Sequence, residues 1–209
     1  MRKELDLDNW SRRSHFDFFK DFDEPFFGVT ANVDCTYAFE NYKNLNTSFF
    51  LYYLYQSLVV VNSIEEFRYR IEGEKVFVYD EIGASATINR PDGTFGFSYL
   101  NFHKDFKTFE HSALAEIEKV RADNRLIPGS TSANVIHYSS VPWIKFTSLS
   151  HARKFDGKDS VPKITFGKVF RDHDRYKMPV SVHVHHALMD GFHLGRYFEQ
   201  FEQTLGYKE

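Results

Sequence analysis

The sequence predicts an α/β (α+β) two-layer sandwich, with a mixed, largely antiparallel sheet packed against helices. Three observations predict it. Short stretches of strand-like character recur along the chain, several of them joined in pairs by tight turns. Helical segments fall among these strands without strict β-α alternation, which disfavours a doubly wound parallel sheet. The 209 residues, 42% of them hydrophobic, contain no linker-like, repeated or low-complexity stretch and suit one domain, residues 1–209.

Asp8 or Asn9 is placed to cap a helix running to about Phe19, with Trp10, Phe16 and Phe19 partly aligned. Phe27 to Thr36 reads as a strand and Tyr37 to Lys43 as a short helix. Asn46-Thr47-Ser48 opens a helix to about Asn62, whose apolar residues fall on nearly all sides and predict wide burial. Phe67 to Ile71 and Lys75 to Tyr79 flank Glu72-Gly73-Glu74, a hairpin signal. Ala84 to Asn89 and Thr94 to Asn101 flank the turn Arg90-Pro91-Asp92-Gly93. Phe106 to Asn124 is a long amphipathic helix, and Val135 to Tyr138 and Trp143 to Phe146 are strands around Pro142. Lys163 to Arg171 and Met178 to His186 form a hairpin around a charged turn, and Phe192 to Leu205 closes the chain as a helix.

Net charge is -3, which gives no broad attraction to nucleic acid or anionic membrane. The 23 phenylalanines and 12 tyrosines serve a core first and an aromatic-lined pocket second. A single cysteine, Cys35, makes no internal disulfide and fits a reducing cytosol. The charged N-terminus lacks an apolar signal core, and the apolar run from Phe49 to Val61 is too short to span a bilayer.

The densest chemistry lies in Val184-His185-His186-Ala187-Leu188-Met189-Asp190-Gly191-Phe192-His193. An alternating strand delivers the histidine pair, and Gly191 allows a sharp turn into the last helix. Four chemistries compete. His183 and His185 share a strand face and resemble a metal pair, with His186 and His193 nearby, but there is no HExxH, cysteine pair or obvious third ligand. A Ser-His-Asp hydrolase lacks GxSxG, and Asp190 is poorly spaced to orient His186. The histidines could simply be satisfied core residues, which suits His183, His185 and His193 one at a time. One histidine could instead be the general base of an acyl transfer.

Family resemblance bears on this choice. HHALMDGFH resembles the chloramphenicol acetyltransferase signature, usually HHAVCDGFH. Trp10-Ser11-Arg12-Arg13-Ser14-His15-Phe16 is similar to that family's W-x-R-[RK]-x-H-F, and Glu66-Phe67-Arg68 to its E-[FL]-R. Ser139-Ser140-Val141-Pro142-Trp143 is similar to S-A-x-P-W. The matches run in order over nearly the whole chain. The HHxxxDG core alone is less specific, occurring also in dihydrolipoyl acyltransferases and peptide-synthetase condensation domains.

The resemblance implies roles. His186 is the general base, which takes a proton from an acceptor hydroxyl attacking acetyl-CoA and returns it to the CoA thiolate. Ser139 stabilises the oxyanion, Asp190 and Arg12 form a structural ion pair, and Thr165 helps hold substrate through water. Phe18, Phe19 and Phe27 fall on the segment that supplies aromatic pocket walls. The family implies a cytoplasmic homotrimer with sites between subunits, acetyl-CoA as co-substrate, no metal, and antibiotic resistance. Arg13 is the neighbouring alternative to Arg12. Met189 replaces the usual cysteine, His137 stands where asparagine is usual, and Phe22-Asp23-Glu24-Pro25 and the turn at residues 90–93 also depart. These departures leave chloramphenicol, a related hydroxyl compound or a different hydroxyl acceptor open, and beside them a catalytically silent binding protein.

Overall fold

The computed structural model describes residues 1–126, 133–153 and 159–206. In chain order its elements are β1 (Arg2–Glu4), α1 (Arg13–Phe19), β2 (Phe26–Asp34), α2 (Thr36–Asn41), α3 (Phe49–Ser63), β3 (Tyr69–Glu72), β4 (Lys75–Tyr79) and β5 (Gly83–Asn89). There follow β6 (Phe95–Phe97), α4 (Phe106–Ala122), β7 (Val135–Val141), β8 (Lys163–Gly167), β9 (Phe170–Asp172), β10 (Arg175–His185) and α5 (Gly191–Leu205). Short 3-10 turns follow α2 and α3.

The main sheet has the order β2-β10-β8-β7-β5-β6, with β9 also paired to β10. Strand β7 runs parallel to β5 and β8, and the remaining pairs are antiparallel. A separate antiparallel sheet, β1-β4-β3, carries the hairpin at Gly73, whose φ of 61° only glycine adopts freely. This is the mixed, helix-packed sheet that the sequence predicts.

Strand alternation divides the sheet into two faces. Tyr138, Phe166 and Val180 point at the helices. The Tyr138 hydroxyl meets Ser57 Oγ of α3 at 2.9 Å, and the Phe166 ring lies 4.6 Å from Tyr53 of α3 and 5.8 Å from Phe201 of α5. Ser139, Thr165 and Ser181 are in register on the opposite face. The chain from Trp143 to Arg153 crosses that face. Here a Cβ on Gly167 would lie 2.9 Å from the Phe146 ring, and His151 packs edge-on against His183 at 4.9 Å. Helix α3 is buried on most sides, as its apolar pattern predicts, and Ser48 Oγ caps it by accepting the Leu51 N–H.

Several local expectations are corrected. Helix α1 begins at Arg13, with Arg12 at its N-cap and no side-chain cap; Asp8 and Asn9 instead lie in the preceding turn, where their N–H groups donate to Asp6. Phe67 belongs to a 3-10 turn before β3. Strand β7 runs unbroken to Val141, and Trp143 to Phe146 is no strand. Pro142 lies in a turn closed by Ile144 N–H on the Val141 carbonyl, which sends the chain across the sheet. The predicted Lys163–Arg171 strand divides into β8 and β9. Only β9 forms the hairpin with β10, while β8 pairs farther along it. The strand expected from Thr94 to Asn101 contracts to β6. Gly191 opens α5 without a positive φ, so the turn before it does not depend on glycine.

One tie passes unseen in the sequence. Arg70 is fully buried and donates to the carbonyls of Phe67, Tyr69, Ala133 and Val135 at 2.5–2.9 Å. It stitches the β3-β4 hairpin to the start of β7. Burial pushes its guanidinium down to about 9.

Candidate active site

Strand β10, paired on both sides, holds His186 just past its end. The His186 N–H donates to the Pro25 carbonyl at 2.8 Å, and the His186 carbonyl accepts from Arg12 Nη2 at 3.2 Å. The ring is fixed separately. Its Nδ1 lies 3.1 Å from the Met189 carbonyl. A carbonyl only accepts, so Nδ1 carries the proton, and Nε2 holds the lone pair of the neutral ring. Phe19 stacks on this imidazole at 4.1 Å with 22° between planes, and Phe27 packs at 4.5 Å. Phe18, 65% exposed, sits edge-on to Phe19, and Phe22 closes an aromatic trio 5.1–5.3 Å from both. The base candidate therefore faces an apolar wall with exposed rings.

Asp190 pairs with Arg12, and its Oδ1 accepts the Phe192 N–H at 3.0 Å, capping α5. Burial raises the Asp190 carboxyl, but the hydrogen bond from Arg12 and the charge of Arg12 outweigh this and hold it below the usual range. Arg13 instead pairs with Asp17 at 2.7 Å on the exposed side of α1. His185 is buried, with Nδ1 accepting the Ala187 N–H at 3.3 Å, and burial pushes it down to about 4. His183 Nε2 meets Ser181 Oγ at 3.1 Å. Among the described residues no three of His, Cys, Asp or Glu converge as a metal would require.

Ser139 and Thr165 are cross-strand neighbours, and Thr165 Oγ1 is buried with no hydrogen-bond partner among the described residues. They do not join His186. The register places Ser139 two strands away from Ser181, and His186 five residues beyond Ser181 on the opposite sheet face. The gap is roughly 19 Å. One chain thus keeps the predicted groups in two separate places: His186 with its aromatic wall, and Ser139 with Thr165.

On the helix side, next to Ser140, lies a cavity of about 700 Å³. Phe49, Phe50 and Tyr53 of α3, Ser140, Lys168 and Arg121 line it.

The family model for chloramphenicol acetyltransferase matches residues 2–202. The chain belongs to the chloramphenicol acetyltransferase family. It is 28% identical over 206 residues to chloramphenicol acetyltransferase 3 of Escherichia coli, covering 98% of this chain and 97% of the relative. It is also 28% identical to the Proteus mirabilis chloramphenicol acetyltransferase, over 95% and 92% of the two chains. A solved chloramphenicol acetyltransferase superposes with a TM-score of 0.92 at 31% identity, covering 98% of this chain and all of that one. The protein is an acyltransferase of this family.

Within the chloramphenicol acetyltransferase frame, sequence reasoning missed the Met189 carbonyl, which has no side-chain signature, and Phe22, which sits in a departing segment. Glu24 of that segment pairs with Arg153, so its charge is compensated. Asp23 stays exposed. His137 lies two residues before Ser139 on the same sheet face, beside Lys163.

Proposed function

We propose that this chain is an acetyl-CoA-dependent O-acetyltransferase that acetylates a hydroxyl of chloramphenicol or a related small molecule in the cytoplasm. The observation that carries this reading is the free Nε2 of His186, with Nδ1 committed to the Met189 carbonyl. Nε2 takes the acceptor hydroxyl proton as that oxygen attacks the thioester carbonyl. The tetrahedral oxyanion receives a hydrogen bond from Ser139 Oγ–H, worth about 3 kcal/mol of barrier. The intermediate collapses, the C–S bond breaks, and Nε2 returns the proton to the CoA thiolate. No acyl-enzyme forms.

The separation of the half-sites supports a homotrimer in which His186 of one subunit works with Ser139 and Thr165 of the next. The unpartnered Thr165 Oγ1 suits a group supplied with the acceptor or its water. Phe18, Phe19 and Phe27 suit an acceptor with an apolar body. The cavity beside Ser140 suits the CoA arm, with Lys168 and Arg121 available to its phosphates. The deciding experiment measures thiol release from acetyl-CoA with and without chloramphenicol and a panel of other alcohols. Acceptor-dependent release is expected, and its absence with every acceptor would overturn the enzyme reading.

A further inference from the structure

His193 and Glu66 lie outside the reacting groups but are joined to them. His193, the third residue of α5, is 7% exposed. Its Nδ1 accepts the Asp190 N–H at 3.1 Å, which completes the capping box usually made by Glu or Gln. The same nitrogen lies 2.9 Å from Asp190 Oδ1, to which it donates only when protonated, and Nε2 lies 3.5 Å from Glu66 Oε1. Glu66 comes from the 3-10 turn after α3, anchored by the fully buried Phe67, and its other oxygen is 3.8 Å from Arg196. From Asp190 the contacts continue to Arg12 and on to the His186 carbonyl. Met189, whose carbonyl holds His186 Nδ1, is bonded directly to Asp190.

We propose that Glu66 and His193 are positioning residues for the transfer reaction, acting through Asp190 to fix the Met189 carbonyl and so the ring orientation and tautomer of His186. The inference rests on His186 being the base. A peptide plane that rotates moves its carbonyl. If the Met189 carbonyl turns away, Nδ1 loses its acceptor, and the ring samples the tautomer in which Nε2 is protonated and useless as a base. His193 grips the Asp190 N–H that belongs to this same peptide plane. Glu66 holds His193 from 127 positions earlier in the sequence, so the loop is tied to the core and not only to its own helix.

The test compares native protein with His193→Ala, His193→Gln, Glu66→Ala and Glu66→Gln. The readings are kcat, KM for both substrates, Tm and the imidazole ¹⁵N resonances of His186. Both alanine variants are expected to lose kcat by about 10- to 100-fold, from misplacement of the reacting nitrogen, with KM within about twofold. Their His186 ¹⁵N signals shift toward a tautomer mixture. Glu66→Gln, which still accepts from Nε2–H, and His193→Gln, which restores the capping acceptor, should fall between native and alanine. Native kcat in both alanine variants, or native His186 resonances in them whatever the Tm, would overturn the proposal. An inactive native protein, or an active His186→Ala, would instead overturn the base assignment, and the resonances still decide whether Glu66 and His193 set the ring.

Discussion

At His186 one hydrogen bond divides the work of the ring. Nδ1 is held by the Met189 carbonyl, which leaves Nε2 as the nitrogen for the proposed base. Truncation to alanine should therefore cut acetyl transfer by about 10²- to 10⁴-fold while the melting temperature stays within a few degrees, since the ring is only half-buried. Rate and Tm measured together check this, and an active variant would remove His186 from the mechanism. His185, one residue earlier, does the opposite job. It is buried and pushed from 6.5 down to about 4. Its unfolded form gains a proton near 6.5 while the folded form resists until about 4, so stability falls as pH drops across that window. Urea midpoints should decline from pH 7.5 to 5, with a shallower decline in His185→Gln. Equal slopes would show that His185 is not the source. The motif located both histidines, but it could not say which one would be buried. That depends on strand parity and on Phe26 lying 5.5 Å from the His185 ring.

At the scale of elements, β2 and β10 pair over nine residues, and that ladder aims His186. Gly28, opposite His183, makes the pairing possible, because a Cβ there would lie 2.5 Å from the His183 ring. Gly28→Ala should cost about 1–3 kcal/mol through overpacking, read from chemical denaturation, and an unchanged midpoint would mean the ring swings clear without cost. Strands with strong alternation and clear turns were legible in the sequence, including β4 and β10. Strand β1 was not. Its three charged residues show no alternation and exist as strand only through the edge of β4. Trp143 to Phe146 misled for the converse reason. The segment is apolar enough for a strand, but it covers the sheet instead of joining it.

For the whole molecule, the roughly 19 Å between His186 and Ser139 in one chain is what supports the proposed shared site in an assembly. This gives a sharp expectation. His186→Ala and Ser139→Ala should each lose about 10²-fold or more of the activity alone. When the two variants are mixed during assembly, about a quarter of the sites in a closed ring would receive an intact His186 from one chain and an intact Ser139 from the next. Activity near that fraction in purified mixed oligomers would support the shared site, and none would refute it.

The sequence by itself determined the chemistry on offer and the class of fold. His186, Ser139, Arg12 and Asp190 stand in ordered motifs, and alternation and helical periodicity are local properties that any stretch of chain displays. Only the tertiary structure decided that Asp190 pairs with Arg12 while Arg13 turns to Asp17, that a backbone carbonyl sets the His186 tautomer, and that Ser139 stands too far away to serve the same chain's histidine. The Arg12–Asp190 pairing joins residues 178 positions apart and the Ser139 placement follows from strand register across β7, β8 and β10, neither of which leaves a periodic trace in either segment; the His186–Met189 contact is local but is made by a backbone carbonyl, which has no side-chain signature.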